Sequence, residues 1–186
     1  MKCFIDGGAN LGQAYDFFSQ KYPDRDFFLY EINSNCFETL QNKCDELENV
    51  KVFNKGLYSE QKTVDVYSVN LEQYQQSNQG VSLIEKHNSN HYNAQTVDTV
   101  ECVDIHSLIT ELNERYDDIV LKLDIEGSEY PVLKRLLEHP NLSKISEIYV
   151  EWHAQYSDEL EDFLGLRKQD LLDGLLEKNI KHHEWH

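Results

Sequence analysis

The sequence predicts an α/β fold of the Rossmann-like, doubly wound type with a mostly parallel sheet. Short apolar runs alternate with helical patterns along the chain, and this alternation favours parallel strands joined by right-handed crossovers. The first apolar run leads directly into a glycine turn, Asp6-Gly7-Gly8-Ala9-Asn10-Leu11-Gly12. A strand, a glycine turn and a helix start in that order are typical of folds that bind nucleotide-like ligands. With 186 residues, the chain is expected to form one domain over 1–186.

Each element in the first part of the chain follows from a local pattern. Residues 3–5 form the first strand, and the first helix starts at residue 13. Residues 27–30 form the second strand. Apolar residues at three- and four-residue spacing then predict a helix over about residues 34–47, followed by a third strand at residues 50–53.

The second part of the chain continues the alternation. The nearly continuous apolar run at residues 119–125 predicts a strand that is buried on both faces at the centre of the sheet. Pro131 opens the next helix, and residues 145–152 form the fifth strand. Leucines at helical spacing predict a helix over about residues 158–179, after which residues 180–186 remain.

Between the third and fourth strands, the sequence predicts a hairpin-like insertion over about residues 63–103. Residues 63–67 and 96–103 alternate as half-exposed strands do, and residues 70–95 between them are rich in Asn, Gln and Ser. We expect this tip to be mobile and to act as a lid or acceptor-binding loop, with a disordered surface loop as the alternative. The side chains in it that favour such a role are those of Tyr74, Gly80, Ser82, His87, His91 and Tyr92.

The glycine turn and an acidic residue after the second strand predict an adenosine cofactor. Glu31 stands nineteen residues after Gly12, where a carboxylate can accept hydrogen bonds from a ribose diol. A dinucleotide site needs G-x-G-x-x-G, and three glycines do not fall at that spacing here. The turn fits D-x-G-x-[GN]-x-G through Asp6, Gly8, Asn10 and Gly12, which resembles the first motif of class I S-adenosylmethionine-dependent methyltransferases. A turn that merely packs a strand against a helix is the alternative.

Four segments resemble the FkbM-type methyltransferases in order and spacing. They are residues 4–12, 30–33, 121–129 and 149–153. The third segment is the most specific, because every fixed position of the family's K-x-D-x-E-G-x-E pattern is present in it. The resemblance covers roughly residues 3–153.

The resemblance implies S-adenosylmethionine as the cofactor, with Asp124 binding its amino group. Ile32 and Gly56 complete the predicted cofactor-binding residues. The resemblance also implies a class I sheet. Because only residues 180–186 follow the last helix, we expect the final antiparallel strand of that sheet to be absent or reduced.

Acidic groups and an imidazole follow the fourth and fifth strands, whose carboxyl ends share one edge of the sheet. They belong to Asp124, Glu126, Glu129, Glu151 and His153. Methyl transfer from a sulfonium mainly requires that the acceptor be aligned and lose its proton. We expect a neutral His153 to be the general base, with Glu126 next and with Glu129 and Asp124 in the catalytic set; a structural imidazole is the alternative for His153.

These carboxylates could also hold Mg²⁺ or Mn²⁺. Binding of an amino group, capping of a helix and pairing with Lys122 account for them without a metal, so the sequence predicts no metal site. The histidines at 182, 183 and 186 are given no function.

Composition limits the partners. Seventeen Lys and Arg against thirty-four Asp and Glu give a formal net charge of −17, which repels nucleic acids and anionic membranes. The four cysteines show neither zinc-ligand spacing nor a disulfide framework. No leader or membrane-spanning run is visible, so we expect a cytoplasmic protein.

The sequence thus favours an O-methyltransferase that acts on a hydroxyl of a sugar, a glycan or another small polyhydroxylated metabolite. Two alternatives remain. A non-catalytic adenosine-binding or scaffolding domain would keep Gly8, Gly12 and Glu31 without needing the acidic cluster. A nucleotide-dependent oxidoreductase is disfavoured by the glycine spacing and by the lack of a Y-x-x-x-K pair, since His153 stands four residues after Tyr149. Nothing in the sequence predicts the oligomeric state.

Overall fold

The structure, a computed structural model, describes residues 1–69, 81–84, 92–153 and 160–186. At positions 68, 69, 92–95, 97 and 163 it describes the backbone alone. The strands are β1 (Lys2–Gly7), β2 (Asp26–Tyr30), β3 (Val50–Phe53), β4 (Gly56–Tyr58), β5 (Lys62–Val69), β6 (Tyr92–Asp104), β7 (Asp118–Leu123), β8 (Ile145–Val150) and β9 (Lys181–Glu184). The helices are α1 (Gln13–Lys21), α2 (Ser34–Cys44), α3 (Ile105–Leu112), α4 (Glu129–Leu137), α5 (Leu160–Leu164) and α6 (Lys168–Glu177).

The main sheet has six strands in the order β3-β2-β1-β7-β8-β9. All neighbouring strands in it run parallel. The chain winds from β1 towards β3 in one direction and from β7 towards β9 in the other, so the order reverses between β1 and β7. This is the predicted Rossmann-like, doubly wound sheet. In sheets of this type, ligands bind outside the carboxyl ends of the strands at such a reversal.

Apolar side chains cover both faces of the central strands. Phe4 and Val120 pack on one face with Phe18 of α1 and Leu40 of α2. On the other face, Leu121 belongs to a larger core that α3, α4 and α6 complete. Because β7 is buried on both faces, its sequence is almost continuously apolar, as predicted.

The predicted hairpin insertion forms a second sheet with strand order β4-β6-β5. β5 and β6 pair antiparallel, with Lys62 opposite Cys102. The short strand β4, which was not predicted, pairs parallel to β6. Residues 81–84 return to the hairpin, where Tyr67 and Ser82 exchange two backbone hydrogen bonds of 2.8 and 3.0 Å. The predicted lid residues Tyr74, Gly80, His87 and His91 lie outside the described residues.

Two predicted helices have different bounds. α2 ends at Cys44 rather than near residue 47, and Leu47, which was predicted on its apolar stripe, is 38% exposed. The helix predicted over residues 158–179 is interrupted. α5 and α6 are separated by Gly165, whose φ of +65° is readily adopted only by glycine.

The last strand, β9, pairs in parallel with β8, with Lys181 opposite Glu147. Residues 180–186 thus contribute a parallel edge strand. Within the described ranges, all six strands of the main sheet run parallel. Among the helices that the structure describes, none combines the length and the apolar character needed to cross a membrane.

We expect Leu121→Ala to lower the free energy of unfolding by about 2 to 5 kcal/mol, because it opens a cavity in the core. The side chain of Leu121 is 0% exposed, whereas that of Leu176 is 75% exposed. Leu176→Ala is therefore the matched control and should change stability by less than about 0.5 kcal/mol. Urea unfolding followed by circular dichroism measures both values. Equal losses in the two variants would contradict the central position of β7.

Candidate active site

A cleft of about 560 Å³, partly open to solvent, lies at the carboxyl edge of the main sheet. The ends of β1, β2 and β7 meet there, together with the β3–β4 connection and part of the insertion. The predicted site residues that line it are Gly8, Asn10, Glu31, Ile32, Gly56, Asp124 and Glu126.

The turn after β1 lies directly against the end of β7. Gly8 has a φ of +76°, and a Cβ atom built on it would lie 1.8 Å from the backbone oxygen of Asp124. Only glycine tolerates this contact, because both the conformation and the space exclude a side chain. The glycine predicted from the motif is therefore required for the close approach of two strand ends.

A buried lysine fixes this approach. Lys122 is 1% exposed, and its Nζ lies 3.0 Å from Asp6 Oδ1 and 3.3 Å from Asp124 Oδ2. The same Nζ donates a 2.8 Å hydrogen bond to the backbone oxygen of Gly8. Burial disfavours the charge on Lys122, but Asp6 and Asp124 outweigh it and raise the lysine's pKa above its ordinary value. Lys122 therefore remains a cation between two carboxylates.

Two predicted cofactor-binding residues support the cleft from outside it. Asp6 is 0% exposed and faces Lys122, so it holds the turn in place. Gly12 precedes α1 with a φ of +88°, and a Cβ atom there would lie 2.8 Å from Leu40 of α2. Both positions serve the packing of the turn, and their role in cofactor binding stays a prediction.

Glu31 holds the turn from the side of β2. Its Oε2 accepts a 2.7 Å hydrogen bond from the backbone N–H of Asn10, and its Oε1 accepts one of the same length from Asn33. Burial raises the pKa of Glu31, although both N–H groups oppose the shift. Because a carboxylate oxygen can accept more than one hydrogen bond, these contacts leave acceptor capacity for a ligand in the cleft.

The predicted acidic and imidazole groups come together where β7 and β8 end. His153 Nε2 lies 3.3 Å from Glu126 Oε2 and 3.9 Å from Asp124 Oδ1. Its Nδ1 lies 2.9 Å from Glu129 Oε1. The structure thus confirms that one cluster contains all four predicted catalytic residues.

Glu129 has a supporting position in this cluster. It is 0% exposed, and its carboxylate accepts backbone hydrogen bonds of 2.7 Å from Ile125 and 2.9 Å from Gly127. Between these two residues, Glu126 adopts a φ of +52°, which costs energy in a side-chain-bearing residue. Ser82 from the insertion adds a 2.6 Å hydrogen bond to the backbone oxygen of Glu126. Glu129 therefore shapes the loop, and a catalytic role for it stays a prediction.

The carboxylates around His153 favour its protonated form. Burial disfavours an imidazolium, but the carboxylates of Glu129, Glu126 and Asp124 outweigh burial and raise the pKa of His153 to about 10. The imidazole is therefore protonated at neutral pH when no other cation is present. A general base must be neutral, so these carboxylates oppose that role for His153, which stays a prediction.

A comparison with known protein families finds a match that includes the cleft. The family model described as the methyltransferase FkbM domain matches residues 6–173. The chain belongs to the FkbM methyltransferase family. No curated protein matches it. The range that matches the FkbM methyltransferase domain includes every residue of the cleft and of the acidic cluster, and the resemblance carried by the four sequence segments is confirmed.

The FkbM domain contains cleft residues that were not predicted from the sequence as site residues. They are Tyr30, Asn33, Cys36, Lys55, Leu57, Val81, Leu83 and Ile125. Lys55 was foreseeable, because β3 ends two residues before it and the carboxyl ends of parallel strands share an edge. Val81 and Leu83 reach the cleft through the path of the insertion.

We expect His153 in the chelator-treated FkbM methyltransferase to stay protonated well above neutral pH, with a pKa of about 10. An unperturbed histidine titrates near about 6.5. Imidazole NMR signals, assigned by their loss in His153→Gln, measure the midpoint. Because the folded-state pKa is the higher one, the stabilisation from this proton is complete below about 6.5 and is lost as the pH rises through about 10. A midpoint near the ordinary value would restore the neutral base.

Proposed function

We propose that this methyltransferase transfers a methyl group from S-adenosylmethionine to a hydroxyl of a sugar, a glycan or another small polyhydroxylated metabolite. One observation carries the proposal. β1 lies between β2 and β7, so the Gly8 turn separates the buried carboxylate of Glu31 from the acidic pair Asp124 and Glu126 within a single cleft. A methyl donor and an acceptor hydroxyl need two such neighbouring regions.

The residues of the cleft fit the cofactor. The contact at Gly8 leaves the turn without a side chain where a ligand passes. Glu31 would hold the ribose diol, the apolar side chains of Ile32 and Leu83 suit the adenine, and Asp124 would bind the amino group. Asn10 Oδ1 is buried and has no hydrogen-bond partner among the described residues, which leaves an acceptor for a donor group of the ligand. When bound, the cofactor supplies a methyl group on a sulfonium, which is a good leaving group.

The acidic cluster supports transfer to oxygen. A sugar hydroxyl is a weak nucleophile, and its proton has to leave as the new C–O bond forms. The side chains of Asp124 and Glu126 are 27% and 26% exposed and line the cleft, so a hydroxyl can donate a hydrogen bond to either carboxylate. These groups would orient the acceptor oxygen, and one of the two carboxylates would accept its proton.

The negative charge of the protein favours a neutral acceptor over an anionic one. The formal net charge of −17 and the carboxylates at the cleft oppose the approach of phosphates and of nucleic acids. We place the activity in the cytoplasm, which is supported by four free, buried cysteines at positions 3, 36, 44 and 102.

We expect S-adenosylhomocysteine, the demethylated cofactor, to bind, and Glu31→Gln to weaken binding by about 1.5 to 3 kcal/mol, because a charged hydrogen-bond acceptor is lost. Isothermal titration calorimetry measures the affinities. Glu38→Gln is the matched control, since it removes the same charge from an exposed position of α2. Binding of NAD in place of S-adenosylhomocysteine, or equal affinities in the two variants, would show that the cofactor assignment is wrong.

We expect label from methyl-tritiated S-adenosylmethionine to reach polyhydroxylated acceptors and not DNA, RNA or protein. The assay uses a panel of free sugars, oligosaccharides and polyols. Asp124→Asn should lower both cofactor affinity and turnover by about tenfold or more, because the carboxylate contacts both ligands. Asp170→Asn, an exposed substitution on α6, should change neither. Labelling of a nitrogen or of nucleic acid would contradict transfer to a hydroxyl.

A further inference from the structure

We infer that Asp124, Glu126 and His153 form a binding site for one divalent cation, for which Mn²⁺ is a suitable probe. One ligand atom from each residue lies within 4.8 Å of the other two. Ligand atoms bound to one cation at about 2.2 Å are separated by about 3 Å when adjacent and by about 4.4 Å when opposite. The distances of 3.3 and 3.9 Å from His153 Nε2 to the two carboxylates fall in this range. Small side-chain movements would close the set around an ion.

The donor types decide which cation fits. Two carboxylate oxygens suit Mg²⁺, Ca²⁺ and Mn²⁺, whereas an imidazole suits transition metals. Mn²⁺ accepts both donor types. Mg²⁺ prefers oxygen donors throughout, so it should bind more weakly to a set that contains a histidine.

Contacts with neighbouring residues already orient the ligand side chains towards one another. Glu129 holds His153 Nδ1 at 2.9 Å, so Nε2 is the nitrogen that faces the carboxylates. A carboxylate bonded to the far nitrogen is typical of metal-binding histidines, because it fixes the orientation of the ring. Lys122 likewise lies 3.3 Å from Asp124 Oδ2, while Oδ1 faces His153. On binding, the cation replaces the Nε2 proton, which passes to solvent, since the neutral imidazole is the metal ligand.

The site would remain open to the cleft. Three protein ligands leave further coordination positions, and Asp124 and Glu126 both line the cleft. A bound hydroxyl oxygen would be polarised there, so its proton is lost more easily. This catalytic role rests on the proposed methyl transfer, whereas cation binding does not. Such a site departs from the expectation that the sequence contains no metal site.

Electron paramagnetic resonance of Mn²⁺ tests the site in the intact chain, because the signal of free Mn²⁺ decreases on binding. We expect one Mn²⁺ per chain in the wild type and an affinity at least about tenfold lower in Glu126→Gln, since a ligand is removed. Glu177→Gln, an exposed substitution on α6, should bind as the wild type does. This control separates the site from general attraction of cations to an acidic surface.

A second measurement does not depend on the folding of a variant. Substoichiometric Mn²⁺ should broaden the imidazole NMR signals of His153 in the wild-type protein before those of the histidines at 182, 183 and 186. The site would be overturned if Mn²⁺ broadened the signals of the histidines at 182, 183 and 186 first. Equal Mn²⁺ affinities in Glu126→Gln and Glu177→Gln would also overturn it, as would a failure to bind Mn²⁺ both with and without S-adenosylhomocysteine. Selective Mn²⁺ binding in a protein that does not bind S-adenosylhomocysteine would support the site and reject the cofactor proposal.

Discussion

The architecture of the cleft depends on one buried lysine. Lys122 projects from the central strand β7, lies between Asp6 and Asp124, and donates to the backbone of Gly8. These contacts join the ends of β1 and β7 at the point where the strand order reverses. A buried charge is costly unless it is paired, so replacing Lys122 by a neutral residue would leave two carboxylates uncompensated in a confined space. The geometry of the glycine turn and the orientation of Asp124 therefore depend on the same side chain.

A second layer of contacts shapes the acidic edge. Glu129 bonds two backbone N–H groups and one imidazole nitrogen, so a single buried carboxylate sets both the loop that carries Glu126 and the ring of His153. Ser82 adds a bond from the insertion to the same loop. The loop's positive φ at Glu126 is sustained by these partners on several sides. Such dense support is expected where a few side chains must converge within hydrogen-bond distance of one another.

Local patterns predicted most of the elements, and the exceptions have physical causes. The strands at β1, β2, β3, β7 and β8 were visible because their apolar runs are buried in the sheet. α3 was not predicted, although its sequence is typical of a helix. Asp104 caps its N-terminus, and apolar residues recur at helical spacing at Ile105, Leu108, Ile109 and Leu112. β9 is short, polar and at an edge of the sheet, so only its pairing with β8 defines it. The break between α5 and α6 was hidden by leucines that continue the helical spacing on both sides.

The sequence by itself determined the fold class, the glycine turn, the acidic residue after β2 and the family, because each is written in contiguous residues with fixed spacing. It also identified the four groups that meet at the acidic edge. Only the tertiary structure decided what each group does. Asp6 and Gly12 support the turn, and Glu129 holds the loop and the ring. Neighbouring carboxylates raise the pKa of His153. Burial and the number of neighbouring carboxylates depend on strands that are distant in sequence. Spacing along a chain specifies which residues share an edge, whereas their protonation and reach depend on packing in three dimensions.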